Sequence, residues 1–432
     1  GTHTRDIKIS QHGPILETIY GQAPQDHCFS ICWTGHLPGC EIDTLLAMWK
    51  GRTLEEAMQC MDHHVCPNFN ITYAGADGRI AYFLAGVIPK RKKDTPLRPL
   101  EGWTGEWDWD GVVPTNQNPR LIDPECGFCV TANNRPAPFD YPYELGNTFE
   151  PPDRYNRLTQ LLKAQGTEVT FSDMAQNMLD LHATWGLETR ALFLEMVGGV
   201  EGLGVEHQSI ERRAADLWVA WDGQATRESA GAAIGYATAM LTGAEVMQRL
   251  AGPETGRAFM ELASFMGQPV LRLKDAQALL AEHGVDACDA IRMAFQQAVA
   301  LCIEEMGDDT SAWQWGKLHV LRGKHALSGS PLGWLFTIGP EAVDGGPDTA
   351  NRGDVDASGR FSYKVGPAMR MVINPASAEY ASVIPGGQSG NRFSKHYDDQ
   401  LPEFLAGRLK KVRVSRTEIA AARAEKWSVP KS

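Results

Sequence analysis

The hydrophobic period changes twice along this chain, and those two changes constrain the fold more than any single motif. Up to about residue 150, short apolar runs with strand-like spacing are punctuated by Pro, Gly and Asn. From residue 152 the apolar positions recur every three or four residues. Tyr155, Leu158, Leu161 and Leu162 form one stripe; Phe171, Met174, Met178, Leu181 and Trp185 form a second. Cys288, Ile291, Phe295, Ala298, Cys302 and Met306 form a third, ended by Gly307. After residue 310 short strand-like runs return, over 360–363 and 369–373, and a last amphipathic segment covers 416–427. The order predicts an α+β chain: a discontinuous sheet domain of residues 1–150 and 311–432, interrupted by a helical insertion over 151–310.

Local signals sharpen this plan. Ile71 and Tyr73 alternate before Asp77-Gly78, and Ile80 and Tyr82 alternate after it, which predicts a β-hairpin over 70–83. Pro152 suits the first turn of a helix, and Thr170-Phe171-Ser172-Asp173 reads as a capping box. The Met and Cys residues in the helical stripes read as core rather than as ligands. No repeat and no low-complexity linker divides the chain.

Composition excludes several classes. A formal charge of −12 leaves few cations for phosphate neutralisation, and the dense basic runs, 90–93 and 408–411, read as solvated loops. No apolar window reaches the length of a membrane span. The nine cysteines are an odd count without a small-scaffold framework and read mostly as free thiols. Cys126 and Cys129 have C-x-x-C spacing, but no second pair accompanies them, so a structural reading is favoured.

Residues 128–131 read as a strand that delivers Asn133 and Asn134 to its end, ahead of Arg135-Pro136. A carboxamide there is a neutral donor, worth about 2.7–4 kcal/mol when aimed at a developing oxyanion. On the residues alone, an Asx turn satisfying nearby backbone is the favoured reading. Arg154 stands at a helix start, where the helix dipole disfavours a cation, so a specific anionic partner is one reading beside an ordinary ion pair. Ser389, in Gly387-Gln388-Ser389-Gly390, reads as a tight structural turn, since no strand-to-helix context makes it a nucleophile elbow. His63-His64, and His396 with Asp398-Asp399, lack zinc-site spacing.

Several motifs then fall in a recognisable order. His12-Gly13-Pro14 resembles the HGP strand of the catalytic subunit of the penicillin acylase family of N-terminal nucleophile hydrolases. Residues 73–82 resemble its AD-x-x-G-x-I-x-Y hairpin, with Gly75 in place of the Asp. Residues 105–111 with Val113-Pro114, Asn118-Pro119 and 127–134 resemble its W-x-W-x-G, NP and NN signatures. Residues 313–319 resemble its WxWGxxH motif, and 387–400 its GQSGNxxSxHYxDQ signature. The resemblance covers nearly the whole chain and implies an αββα sandwich, incomplete here, with a large helical insertion.

It also implies roles. The first Asn of the NN pair, Asn133, would be the oxyanion donor, and Arg154 would order the nucleophile's surroundings. Pro99, with Pro96 as a close alternative, and Glu144 match a carbonyl and a carboxylate that ligate a structural calcium in the family, at slightly shorter spacings. The family's nucleophile, a Ser or sometimes Thr or Cys that begins the catalytic subunit after autoproteolysis, precedes the HGP strand and is expected outside these residues. Thr2 follows a Gly as at a scissile junction, but the segment after it does not resemble the family's opening strand.

The implied activity is an amidohydrolase that removes an acyl group from an amine: a β-lactam nucleus, an acyl homoserine lactone or a peptide-like amide. The nucleophile's own α-amino group would be the base, and water would release the acyl-enzyme. The implied partners are the small subunit and the N-terminal part of the catalytic subunit, and the implied location is the periplasm or the exterior. The other class that fits is a non-catalytic homologue, inactive alone, that folds with a partner.

Overall fold

A computed structural model describes residues 2, 4, 6–16, 27–96, 98–265, 278, 280–356 and 360–422 of the 432. The chain divides into two units, Gly1–Phe149 and Glu150–Ser432.

In the first unit, β1 (Ile9–Ser10), β2 (Gly13–Leu16) and β3 (Phe29–Ser30) form an antiparallel sheet. The helices α1 (Glu41–Lys50) and α2 (Leu54–Met61) follow. They correct the expectation of sheet throughout this region. Thr53 caps α2 by accepting from the Glu56 N–H, and Leu54, Ala57 and Met61 form its buried stripe.

The predicted hairpin is present: β4 (Phe69–Ala74) pairs antiparallel with β5 (Ile80–Ala85), with Ile71 opposite Phe83 and Tyr73 opposite Ala81. Ala81, Phe83 and Ala85, not Ile80 and Tyr82, share a core with Leu54 and Met61, and Ile71 and Tyr73 pack on it. Tyr82 is also buried, and β8 (Arg120–Ile122) pairs with the other edge of β5, which makes it a central strand. A two-stranded ribbon, β6 (Pro89–Arg91) with β7 (Trp109–Val112), completes the assigned strands. The expected strand over 128–131 has no ladder among the described residues: Asp123 and Gly127 have φ of 44° and 76°, so the backbone turns repeatedly before it.

The second unit opens with α3 (Asp153–Gln165), α4 (Phe171–Asn177), α5 (Thr184–Val197), α6 (Ile210–Ala220), α7 (Ala230–Ala251), α8 (Pro253–Phe265) and α9 (Ala287–Met306). Pro152 is the N-cap of α3, and the Thr170–Asp173 capping box is formed at α4. The stripe from Phe171 to Trp185, however, is broken into two helices. Between them the backbone pairs sideways, Ala183 N–H to the Gly223 carbonyl at 2.8 Å and Ala225 N–H to the Leu181 carbonyl at 3.0 Å, which takes those groups out of a helical ladder.

Helix α7 is buried on all sides from Gly231 to Met240 and lies at the centre of the unit's core. Gly231 and Gly235 let it approach α6: a Cβ at 231 would sit 2.5 Å from the Trp221 side chain, and one at 235 would sit 3.0 Å from Trp218 Nε1. Trp218 stacks on Phe295 of α9, with ring centroids 6.0 Å apart. The α9 stripe is buried as predicted, with Gly307 past its end at φ 81°.

After α10 (Trp315–Leu318), the strands β9 (Val320–Gly323), β10 (Ile338–Ala342), β11 (Asp354–Val355) and β12 (Tyr363–Val365) form a sheet in the order β10-β9-β12-β11. β13 (Arg370–Asn374), β14 (Glu379–Val383) and β15 (Lys410–Lys411) form another. The strand expected over 360–363 begins only at its last residue, because Phe361 adopts φ 55° to bury its ring. The final helix, Arg416–Ala422, covers the start of the expected 416–427 segment; 423–427 lie outside the described residues. Contact density groups these later sheets with the helices, through residues such as Trp315 and Phe361 that share the α7 core. No helix among the described residues is long and apolar enough to cross a membrane.

Candidate active site

In the first unit, two of the motifs meet. His12 Nε2 lies 2.8 Å from Asp108 Oδ1, so the HGP strand is tied to the Trp107-Asp108-Trp109 segment, a pair that spacing alone did not reveal. Asn118 of the NP pair is buried, and its amide donates to the carbonyls of Leu84 and Gly86 at 3.1 and 2.8 Å, which fixes the end of β5.

The two residues of the NN pair divide the two roles considered for them. Asn134 serves the turn: its Oδ1 accepts from the Ala132 N–H at 3.0 Å, and its Nδ2 donates to the Arg135 carbonyl at 3.1 Å. Asn133 is exposed and has φ 63°, the left-handed region that Asn tolerates better than most residues. Asn134 thus pins the backbone on either side of Asn133.

Glu144 accepts from the Thr95 N–H at 3.0 Å and from the Thr95 hydroxyl at 3.2 Å, and Arg91 Nε lies 3.5 Å away. The Pro99 carbonyl accepts from Arg98 Nη1 at 3.3 Å. Among the described residues there is no group of three or more His, Cys, Asp or Glu that could hold a metal. The neutralised carboxylate and the occupied carbonyl do not fit a calcium cage as they stand.

Arg154 belongs to the second unit, in the first turn of α3. Burial holds its pKa down at about 10, helped by the Arg352 charge and opposed by Glu150, Asp354 and Asp153, so it remains a cation at neutral pH. The anionic surroundings considered from sequence are present: Glu150 and Asp153 lie close to Arg154 in the chain, and Asp354 is distant. Arg352 bridges Glu150 and Asp354, donating to Glu150 Oε1 at 2.8 Å and through Nε to Asp354 Oδ1 at 2.8 Å. Two guanidiniums thus share three carboxylates in a nearly dry cluster. A cleft of about 20 Å³ beside Arg154 and Asp348 has room for one water.

Asp348, which no motif flags, accepts from the Tyr236 hydroxyl at 2.6 Å and from the Gly186 N–H at 3.1 Å. Burial raises its carboxyl to about pH 6 despite these bonds. Its folded pKa therefore exceeds its unfolded value near 3.8, so the folded state binds the extra proton. This stabilises at acid pH, and the contribution is lost as pH rises from about 4 to about 6. Over that window, urea unfolding of the wild type should lose on the order of 3 kcal/mol relative to Asp348→Asn. Parallel pH profiles for the two proteins would exclude this origin.

The other candidates serve structure. His64 is buried, with Nε2 2.7 Å from the Pro67 carbonyl and Nδ1 3.2 Å from Glu41. His396 pairs with Asp399 at 2.8 Å on the surface. The Ser389 hydroxyl accepts from the Asn391 N–H at 3.2 Å, which makes the tight turn read from sequence. His319 of the WxWGxxH motif is fully buried, stacked on Trp315 at 4.7 Å, and burial depresses its pKa to about 4, so it is a neutral core residue.

A family model described as penicillin amidase matches residues 1–421. The acyl-homoserine lactone acylase QuiP of Pseudomonas aeruginosa is 27% identical over 445 residues, covering 93% of this chain and 52% of the relative. The penicillin acylase 2 proenzyme of Pseudomonas sp. (strain SE83) is 25% identical over 404 residues, covering 91% and 50%. The chain thus spans about half the length of the curated relatives it matches. A thermostable penicillin G acylase from Alcaligenes faecalis superposes with a TM-score of 0.61 at 18% identity, covering 99% of this chain and 78% of that one, so the fold is that of the N-terminal nucleophile hydrolases. With the motifs, the mixed architecture and the match over nearly its whole length in agreement, the chain belongs to the penicillin amidase family.

Proposed function

We propose that this chain is part of an amidohydrolase that cleaves the bond between an acyl group and an amine through an acyl-enzyme. The observation that carries the reading is the left-handed turn at Asn133, pinned by Asn134, in a chain whose family match is nearly complete. A preset neutral donor of this kind stabilises the oxyanion of a tetrahedral intermediate without reorganising when charge develops.

In this reading the nucleophile is an N-terminal Ser, Thr or Cys exposed by autoproteolysis and supplied from outside the described residues. Its α-amino group, with an ordinary pKa near roughly 8, takes the proton, so no His or Asp of this chain is needed. The hydroxyl or thiol adds to the amide carbon, the amine leaves with the proton, and water then releases the acid. Arg154 is a positioning residue, a buried cation that orders the groups around it. The small subunit and the N-terminal part of the catalytic subunit are the partners, and the periplasm or the exterior is the location.

Calcium has no step in this reaction. Glu144 accepts from Thr95 and lies beside Arg91, and the Pro99 carbonyl accepts from Arg98, so a calcium ion would compete with those contacts.

Relatives named as acyl-homoserine lactone acylases and penicillin acylases make N-acyl homoserine lactones and acylated β-lactam nuclei the first substrates to try. The test uses the protein purified from its source with any chains that accompany it, against a panel of both amides with graded acyl lengths. Release of free amine and carboxylic acid in equal amounts is expected. A well-folded preparation that releases neither would leave the non-catalytic homologue as the better reading.

A further inference from the structure

Within the second unit, a cavity of about 240 Å³ is bordered by Arg227, Arg352 and Arg370, together with Asp344, Asn351 and Tyr363. Three guanidiniums facing one space is an unusual concentration of positive charge in a chain of net charge −12. Two of them are matched. Arg227 donates to both oxygens of Asp344, at 3.2 and 2.9 Å, and Arg352 is held by Glu150 and Asp354.

Arg370 is not matched. It is only 7% exposed, its Nη1 donates to the Phe404 carbonyl at 2.6 Å, and its Nη2 donates to Asn351 Oδ1 at 2.8 Å. Both acceptors are neutral, it forms no ion pair among the described residues, and its Nε is buried with no hydrogen-bond partner. The Phe404 ring, 3.9 Å from the guanidinium carbon, covers one face. Asp344 acts on it only through space and is already engaged by Arg227; a desolvated cation without an ion-pair partner is a costly arrangement, and a guanidinium edge is shaped to receive an oxyanion.

We propose that this cavity binds a small oxyanion, a carboxylate or a phosphate group, on Arg370, with Arg227 and Arg352 adding to the field and the Tyr363 hydroxyl as a neutral donor. At about 30 Å³ of liquid volume per water, the cavity has room for such a group together with several waters. Burial pushes the Tyr363 phenol up to about 12, so it keeps its proton to donate. Asp344, the carboxylate on the wall, does not repel the ligand as a free charge would, because Arg227 already engages both its oxygens.

The experiment is thermal unfolding of the chain in sodium phosphate and, separately, sodium acetate, with sodium chloride at matched ionic strength as reference. A ligand that binds only the folded state raises Tm along a curve set by its Kd, beyond any effect of chloride. Such a rise with phosphate alone assigns a phosphate ligand; with acetate alone, a carboxylate; with both, the shared oxyanion chemistry. Arg370→Met should weaken the binding at least tenfold. Because Arg370 also ties β13 to the Phe404 carbonyl and its loss can unfold the protein, Tyr363→Phe is the second variant. It leaves every guanidinium in place and should weaken binding about threefold. Absence of a saturable rise with either anion overturns the proposal, and so does a Kd unchanged in Tyr363→Phe.

Discussion

Replacing Asn133 by Ala in the assembled enzyme is expected to lower kcat by about 10² to 10³, with KM little changed. The size follows from losing one preset donor to an oxyanion, a contact made in the transition state and not in the bound substrate. Alanine, however, also pays about 1–2 kcal/mol to hold the left-handed conformation at φ 63°. Asn133→Gly separates the two effects, since glycine adopts that conformation freely and brings no amide. The same loss of kcat in the Gly variant assigns it to the amide. A Gly variant with wild-type kcat would show that the turn, and not the donor, is what the site requires.

Arg352→Met should destabilise the second unit by about 3–5 kcal/mol, the cost of leaving buried charges without their partner. Glu150 and Asp354 would then face Arg154 alone, and the side chain of Asp354 is only 3% exposed. Burial already lifts the Asp354 carboxyl above its usual value. Without Arg352 that lift should grow, and the variant should recover part of its stability at acid pH as Asp354 takes up a proton. Urea unfolding at pH 5 and pH 7.5 reads both effects. The exposed pair Arg408–Glu403 is the contrast, because solvent screens its bridge and its loss should change stability little. Equal losses from Arg408→Met and Arg352→Met would contradict the buried-charge account.

What sequence shows here is what short-range chemistry decides. The Asp77-Gly78 turn, the Thr170–Asp173 capping box and the Gly307 stop each depend on residues within a few positions, and each is found. The break after Asn177 is not of that kind: it exists because residues 181–183 meet 223–225, and the stripe reads straight through it. The central place of β5 is hidden for a similar reason, since its second partner, β8, comes from forty residues downstream. At the site, Asn133 stands out only through the family pattern, and the residues alone favour the turn role that its neighbour Asn134 fulfils. The carboxylates around Arg154 come partly from Glu150 and Asp153, which are adjacent, but the bridge that orders them comes from Arg352 and Asp354, which no spacing rule connects to it.

That bridge has a kinetic consequence. The Arg352–Glu150 contact joins residues 202 positions apart. Closing a loop of that length costs ~5 kcal/mol of chain entropy beyond a constant term, so it is a poor first contact and a good last one. The helices between its two ends can nucleate on their own neighbours, and the latch closes over them afterwards. A contact absent from the folding transition state leaves the folding rate nearly untouched and acts on the rate of opening. The cluster at Arg154 would therefore set how long the second unit stays folded once formed, rather than how quickly it forms.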